Sequence, residues 1–92
     1  MTKLEIDLFC NIRRDKVAYR LYVNDELMTE RDYIWDNEKE YISENISLNL
    51  TKGMHSVIIE NINPENGEFY INTIRINGKI TTIYNNREFK YE

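Results

Sequence analysis

Leu4, Ile6 and Leu8 alternate with Lys3, Glu5 and Asp7 at the head of the chain, a period of two that predicts a strand with one buried and one wet face. Asn11 to Lys16 is a polar turn. Val17, Tyr19, Leu21 and Val23 then alternate with Ala18, Arg20, Tyr22 and Asn24, the clearest strand pattern in the protein. Asn24-Asp25-Glu26 reads as a tight turn, because Asn and Asp tolerate left-handed backbone, and Leu27 to about Tyr33 completes a hairpin. Ile34 to Ser43 has no clear apolar stripe. It reads as a polar loop, Asp36-Asn37-Glu38-Lys39-Glu40, flanked by Trp35 and Tyr41. A strand at Asn45 to Leu50 faces Ile46, Leu48 and Leu50 inward, and Thr51-Lys52-Gly53 turns the chain.

Met54 to Ile62 carries Val57 and Ile59 on one face and Ile58 on the other, which suits a central strand. Asn63-Pro64-Glu65-Asn66-Gly67 is the strongest loop signal. In the strand from Phe69 to Ile76 the apolar parity shifts around Asn72-Thr73, as a β-bulge requires. Asn77-Gly78 is a type I′ hairpin signature leading to a strand at Lys79–Tyr84. Asn85-Asn86 turns again, and Phe89 and Tyr91 offer a short last strand. Seven or eight strands at near-regular spacing, with no convincing helix, predict one all-β domain over residues 1–92. The expected architecture is an antiparallel β-sandwich of jelly-roll type, with an open barrel as the alternative.

Composition narrows the function classes. The formal net charge is −4 and Arg13-Arg14 is the only adjacent basic pair, which argues against a nucleic-acid partner. No apolar stretch approaches membrane-spanning length, so no membrane partner is expected. The N-terminal residues lack the apolar segment of a secretory signal, which predicts a cytoplasmic or virion-associated location. The single cysteine, Cys10, cannot form an intramolecular disulfide and reads as a buried structural thiol.

Catalytic templates fail on inventory. The only histidine, His55, directly precedes Ser56 on a predicted strand, where neighbours point to opposite faces and cannot act as base and nucleophile. A zinc site lacks ligands, and no Gly-rich phosphate loop is present, since Gly53, Gly67 and Gly78 sit at predicted turns. The chain therefore reads as no enzyme, with no cofactor. Asp32, Asp36, Glu38, Glu40 and Glu44 concentrate acid around one loop, but Arg31 and Lys39 lie among them. A solvated charged loop is favoured there over a calcium site.

The aromatics carry the binding expectation. Tyr33, Trp35 and Tyr41 flank the acidic loop and form a candidate ligand platform, with Asp36 and Glu38 as polar contacts. Rings stack on the CH faces of sugars while acids bind hydroxyls; the same residues serve as anchors at protein interfaces. A competing reading has Trp35 closing one end of the core.

Gly53-Met-His-Ser-Val-Ile-Ile-Glu-Asn61, followed by Phe69-Tyr-Ile-Asn-Thr-Ile-Arg-Ile-Asn-Gly78, resembles the back half of jelly-roll carbohydrate-binding modules of the galactose-binding-like and xylan-binding kind. Tyr22-Val23-Asn24-Asp25 resembles their strand that ends in a turn. The resemblance covers about a third of the chain and implies the fold and a glycan ligand. Where many such modules place an acidic calcium ligand, this chain has Asn72. The expected function is a non-enzymatic binding module, with a glycan favoured as ligand. The alternative is a bacteriophage virion or other structural or protein-interaction subunit, which leaves self-association open.

Overall fold

The computed structural model of the chain describes residues 1–12, 17–33 and 41–92. Over these residues the chain forms nine strands: β1 (Thr2–Ile12), β2 (Val17–Val23), β3 (Glu26–Tyr33), β4 (Tyr41–Leu48), β5 (Gly53–Asn61), β6 (Gly67–Ile76), β7 (Lys79–Thr81), β8 (Ile83–Tyr84) and β9 (Glu88–Tyr91). They build two antiparallel sheets, β4-β1-β6-β7 and β3-β2-β5-β9-β8. Four pairs, β2·β3, β1·β4, β5·β9 and β6·β7, are successive rungs of one two-stranded ribbon rolled across both sheets. The ladders β1·β6 and β2·β5 join its turns. This rolled ribbon is a jelly roll. One side of it runs through β3, β4, β5 and β6, and the other through β2, β1, β9 and β7.

Turn chemistry closes both ends of the ribbon. Asn24 and Asp25 (φ 51° and 66°) join β2 to β3, and Asn77 and Gly78 (φ 50° and 84°) join β6 to β7. Both are two-residue turns with positive φ, the twist that matches right-handed strand twist. Asn85 and Asn86 repeat that sign before β9.

The core is the set of positions the period of two selects. Leu4, Ile6 and Leu8 from β1 meet Val17, Tyr19, Leu21 and Val23 from β2, with Val57, Ile71, Ile74 and Phe89 completing the interior. Each such side chain contributes about 1.5–3 kcal/mol by leaving water. Gly67 opens β6 rather than ending a loop. A methyl group there would lie 2.7 Å from the Asn11 carbonyl oxygen and 3.1 Å from Cys10 Sγ, so only glycine lets β6 approach β1 this closely.

β7 pairs with β6 only at Ile74–Ile76, and among the described residues the rest of β6 has no strand neighbour on that side. Two asparagine side chains cover it. Asn86 accepts from the Ile71 N–H at 3.0 Å and donates to the Ile71 carbonyl at 2.8 Å, imitating a strand residue. Asn61 Nδ2 donates to the Gly67 carbonyl at 2.7 Å. The edge is thereby blunted against pairing with other chains.

Nine strands replace the seven or eight expected, and one strand boundary moves. The stretch read as one strand at Lys79–Tyr84 divides at Thr82, β7 belonging to the first sheet and β8 to the second. Ile80 faces solvent at 75% exposure, so hydrophobicity there did not report burial. The strand expected from Asn45 begins at Tyr41. Glu44 occupies an inward position, and a charge in the inward register hides the alternation.

Candidate functional site

The outer face of the four-stranded sheet carries a row of three aromatics, two of them exposed. Phe9 lies on β1 in the wet register, after Leu8. It pairs across the sheet with Tyr41 of β4 on one side and Tyr70 of β6 on the other. The ring centroids are 5.6 Å and 5.5 Å apart, with interplanar angles of 32° and 10°. The Phe9–Tyr70 rings are stacked and the Phe9–Tyr41 rings tilted. Phe9 is thus covered on both sides, and each tyrosine, 46% and 45% exposed, keeps area open to solvent.

The bulge in β6 makes this arrangement possible. Leu8 pairs with Ile71 while Asp7 pairs with Thr73, so Asn72 is the extra residue. Without that insertion, Tyr70 and Arg75 would fall on opposite faces; with it, both face outward. Asn72 is exposed beside the row and donates from Nδ2 to Thr73 Oγ1 at 2.9 Å.

One step along the strands lies a polar row. Asp7 was expected on the wet face, yet it is only 8% exposed, because β1 is central and its neighbours crowd it. Arg75 donates to both carboxylate oxygens at 3.0 and 2.9 Å, and Ser43 Oγ donates at 2.7 Å. Burial pushes the Asp7 carboxyl up, but the hydrogen bonds from Arg75 and Ser43, with the Arg75 charge, outweigh it and hold the group below its ordinary value. Glu5, 3.5 Å from Arg75, completes the cluster.

A second charged group lies between the sheets. Glu44 of β4 is 3% exposed and accepts from the Tyr19 hydroxyl of β2. Arg31 of β3 reaches it through Nε at 2.6 Å and Nη2 at 3.1 Å. Burial first, then the hydrogen bond and charge of Glu44, push the Tyr19 phenol far above its usual range. The cluster ties one sheet to the other. Glu44, counted in the sequence among the loop acids, is therefore interior and arginine-paired. Among the described residues no group of three His, Cys, Asp or Glu side chains is spaced to hold a metal ion.

His55 is held at both nitrogens. Nε2 donates to the Thr51 carbonyl at 2.6 Å, which leaves Nδ1 of the neutral ring to accept from Asn24 Nδ2 at 2.9 Å. Its ring packs 5.5 Å from Phe89. The histidine pins the loop before β5 to the β2–β3 turn.

The structure separates the aromatics that the sequence grouped. Tyr33 ends β3 in the interior, edge-on to Phe69 at 5.6 Å, whereas Tyr41 opens β4 on the outer face. Trp35, Asp36 and Glu38 lie outside the described residues. Phe9 and Tyr70 were missed, although their parity marked them: each follows or precedes an inward residue and so belongs to the wet face. The chain matches no protein-family model, no curated protein and no solved structure.

Proposed function

We propose that this domain is a non-catalytic binding module that takes a glycan on the outer face of its four-stranded sheet. The observation that carries this reading is the row Tyr41–Phe9–Tyr70, exposed at both ends and set beside Ser43, Asp7 and Asn72. Aromatic rings take the CH faces of sugars, and amide, hydroxyl and carboxylate groups take their hydroxyls. The resemblance to jelly-roll carbohydrate-binding modules supports the same reading. Titration with a panel of neutral oligosaccharides tests it. Saturable binding that Tyr70→Ala and Tyr41→Ala each weaken several-fold, with unchanged unfolding midpoints, is the expected result, since a ring contact is worth roughly 0.5–1.5 kcal/mol. A panel without a binder sinks the proposal.

A second reading, a structural or protein-interaction subunit such as a virion component, is favoured by a different observation. The five-stranded sheet also exposes an apolar row, Leu27–Tyr22–Ile58, in register across β3, β2 and β5. Concentration-dependent size on a sizing column supports that assembly role; a monomer at all concentrations favours the glycan module.

A further inference from the structure

Where the chain leaves the first sheet for the second, β7, Thr82 and the end of β9 line an open cleft of about 200 Å³. Lys79 and Lys90 reach it from two different strands, the hydroxyl residues Thr81 and Thr82 line it, and Ile80 and Tyr91 supply apolar wall. Thr81 Oγ1 donates to the Lys90 carbonyl at 2.5 Å, which pins β7 to β9 and holds both lysines on one cleft. Among the described residues neither lysine makes an ion pair, although the chain carries 16 acidic side chains against 12 basic ones. Glu92 is the acidic side chain that lines the cleft. Lys52 donates to the Glu92 main-chain oxygen and lies 4.5 Å over the Tyr91 ring, adding a third cation at this end.

We infer that this cleft is a second binding site, for the carboxylate group of an acidic sugar of the uronate type. Two ammonium groups from different strands, neither ion-paired among the described residues, line one cleft and offer charge-assisted donors to a carboxylate. Thr81 and Thr82 offer donors and acceptors for ring hydroxyls, and Tyr91 with Ile80 offers an apolar surface for the CH face. The sugar in this assignment rests on the glycan reading of the aromatic row; the negative charge rests on the cleft alone.

The test titrates the isotope-labelled chain with galacturonate, galactose and sodium sulfate at constant ionic strength, following amide resonances. The expected result is saturable shifts on residues 79–82 and 90–91 with galacturonate, and none with galactose or sulfate. Lys79→Gln combined with Lys90→Gln weakens this binding about tenfold or more, as loss of charge-assisted contacts requires. Both lysines are on short surface strands, and the unfolding midpoint of the double variant checks that the fold is intact. Tyr70→Ala leaves the galacturonate-induced shifts on residues 79–82 and 90–91 unchanged, which separates the cleft from the aromatic row. Equal shifts with sulfate or galactose, or binding that survives the double substitution, overturns the inference. Loss of cleft binding alone, with Tyr70-dependent glycan binding present, removes this site and leaves the platform standing.

Discussion

The two outer faces of the sandwich repeat one pattern: an apolar row beside an arginine held between two carboxylates. On the four-stranded sheet Tyr41, Phe9 and Tyr70 adjoin Arg75, with Asp7 and Glu5. On the five-stranded sheet Leu27, Tyr22 and Ile58 adjoin Arg20, with Glu30 at 3.0 Å and Glu60 at 2.7 Å. The Arg75–Asp7 pair, at 2.9 Å, is as short as the two Arg20 pairs, but the surroundings differ. Asp7 is buried under its neighbours, while both partners of Arg20 are half exposed. Water competes for Glu30 and Glu60 and screens them, so the pairing on that face adds little to stability. Arg31 with Glu44 extends the series inward, to a carboxylate enclosed between the sheets. The same chemistry is decorative at the surface and obligatory in the interior.

Three substitutions grade that comparison. Arg31→Ala leaves the enclosed Glu44 carboxylate, among the described residues, with the Tyr19 hydroxyl alone, and a loss of about 3 kcal/mol is expected in urea unfolding. A loss under about 1 kcal/mol would show that water reaches Glu44 freely. Asp7→Asn gives up the charged pairing with Arg75 and is expected to cost about 2 kcal/mol at neutral pH. Because the Asp7 carboxyl is held below its ordinary value of 3.8, its contribution is complete above that value and is lost as the pH falls through the lowered one. The difference between the parent and Asp7→Asn should therefore shrink on acidification; a constant gap would contradict the pairing. Arg20→Ala is expected to leave the midpoint within error at neutral pH. A measurable loss there would erase the distinction between the faces.

Much of the fold was legible along the chain. The parity of Leu4 to Leu8 and of Val17 to Val23 marked the core, and Asn24-Asp25 and Asn77-Gly78 announced the turns at both ends of the ribbon. The bulge at Asn72 was visible as a slip in apolar parity. The site was less legible. Tyr33 and Tyr41 are close in sequence and were read together, yet a strand end puts one ring in the interior and a strand start puts the other outside. Phe9 and Tyr70 are far apart in sequence and meet only through the β1·β6 ladder. The missed polar positions share one cause: Asp7 and Glu44 are hydrophilic residues buried by their partners, and hydropathy alone places such residues in water.

By itself the sequence determined the all-β class, the inward faces, the turns and the bulge, because backbone sterics and a period of two are local properties. The tertiary structure decided which strands are neighbours, and with them the row of three rings, the burial of Asp7 and Glu44 and the lysine cleft. Each of these depends on residues from strands distant in the chain, and the free energy that selects them arises only when the sheets close.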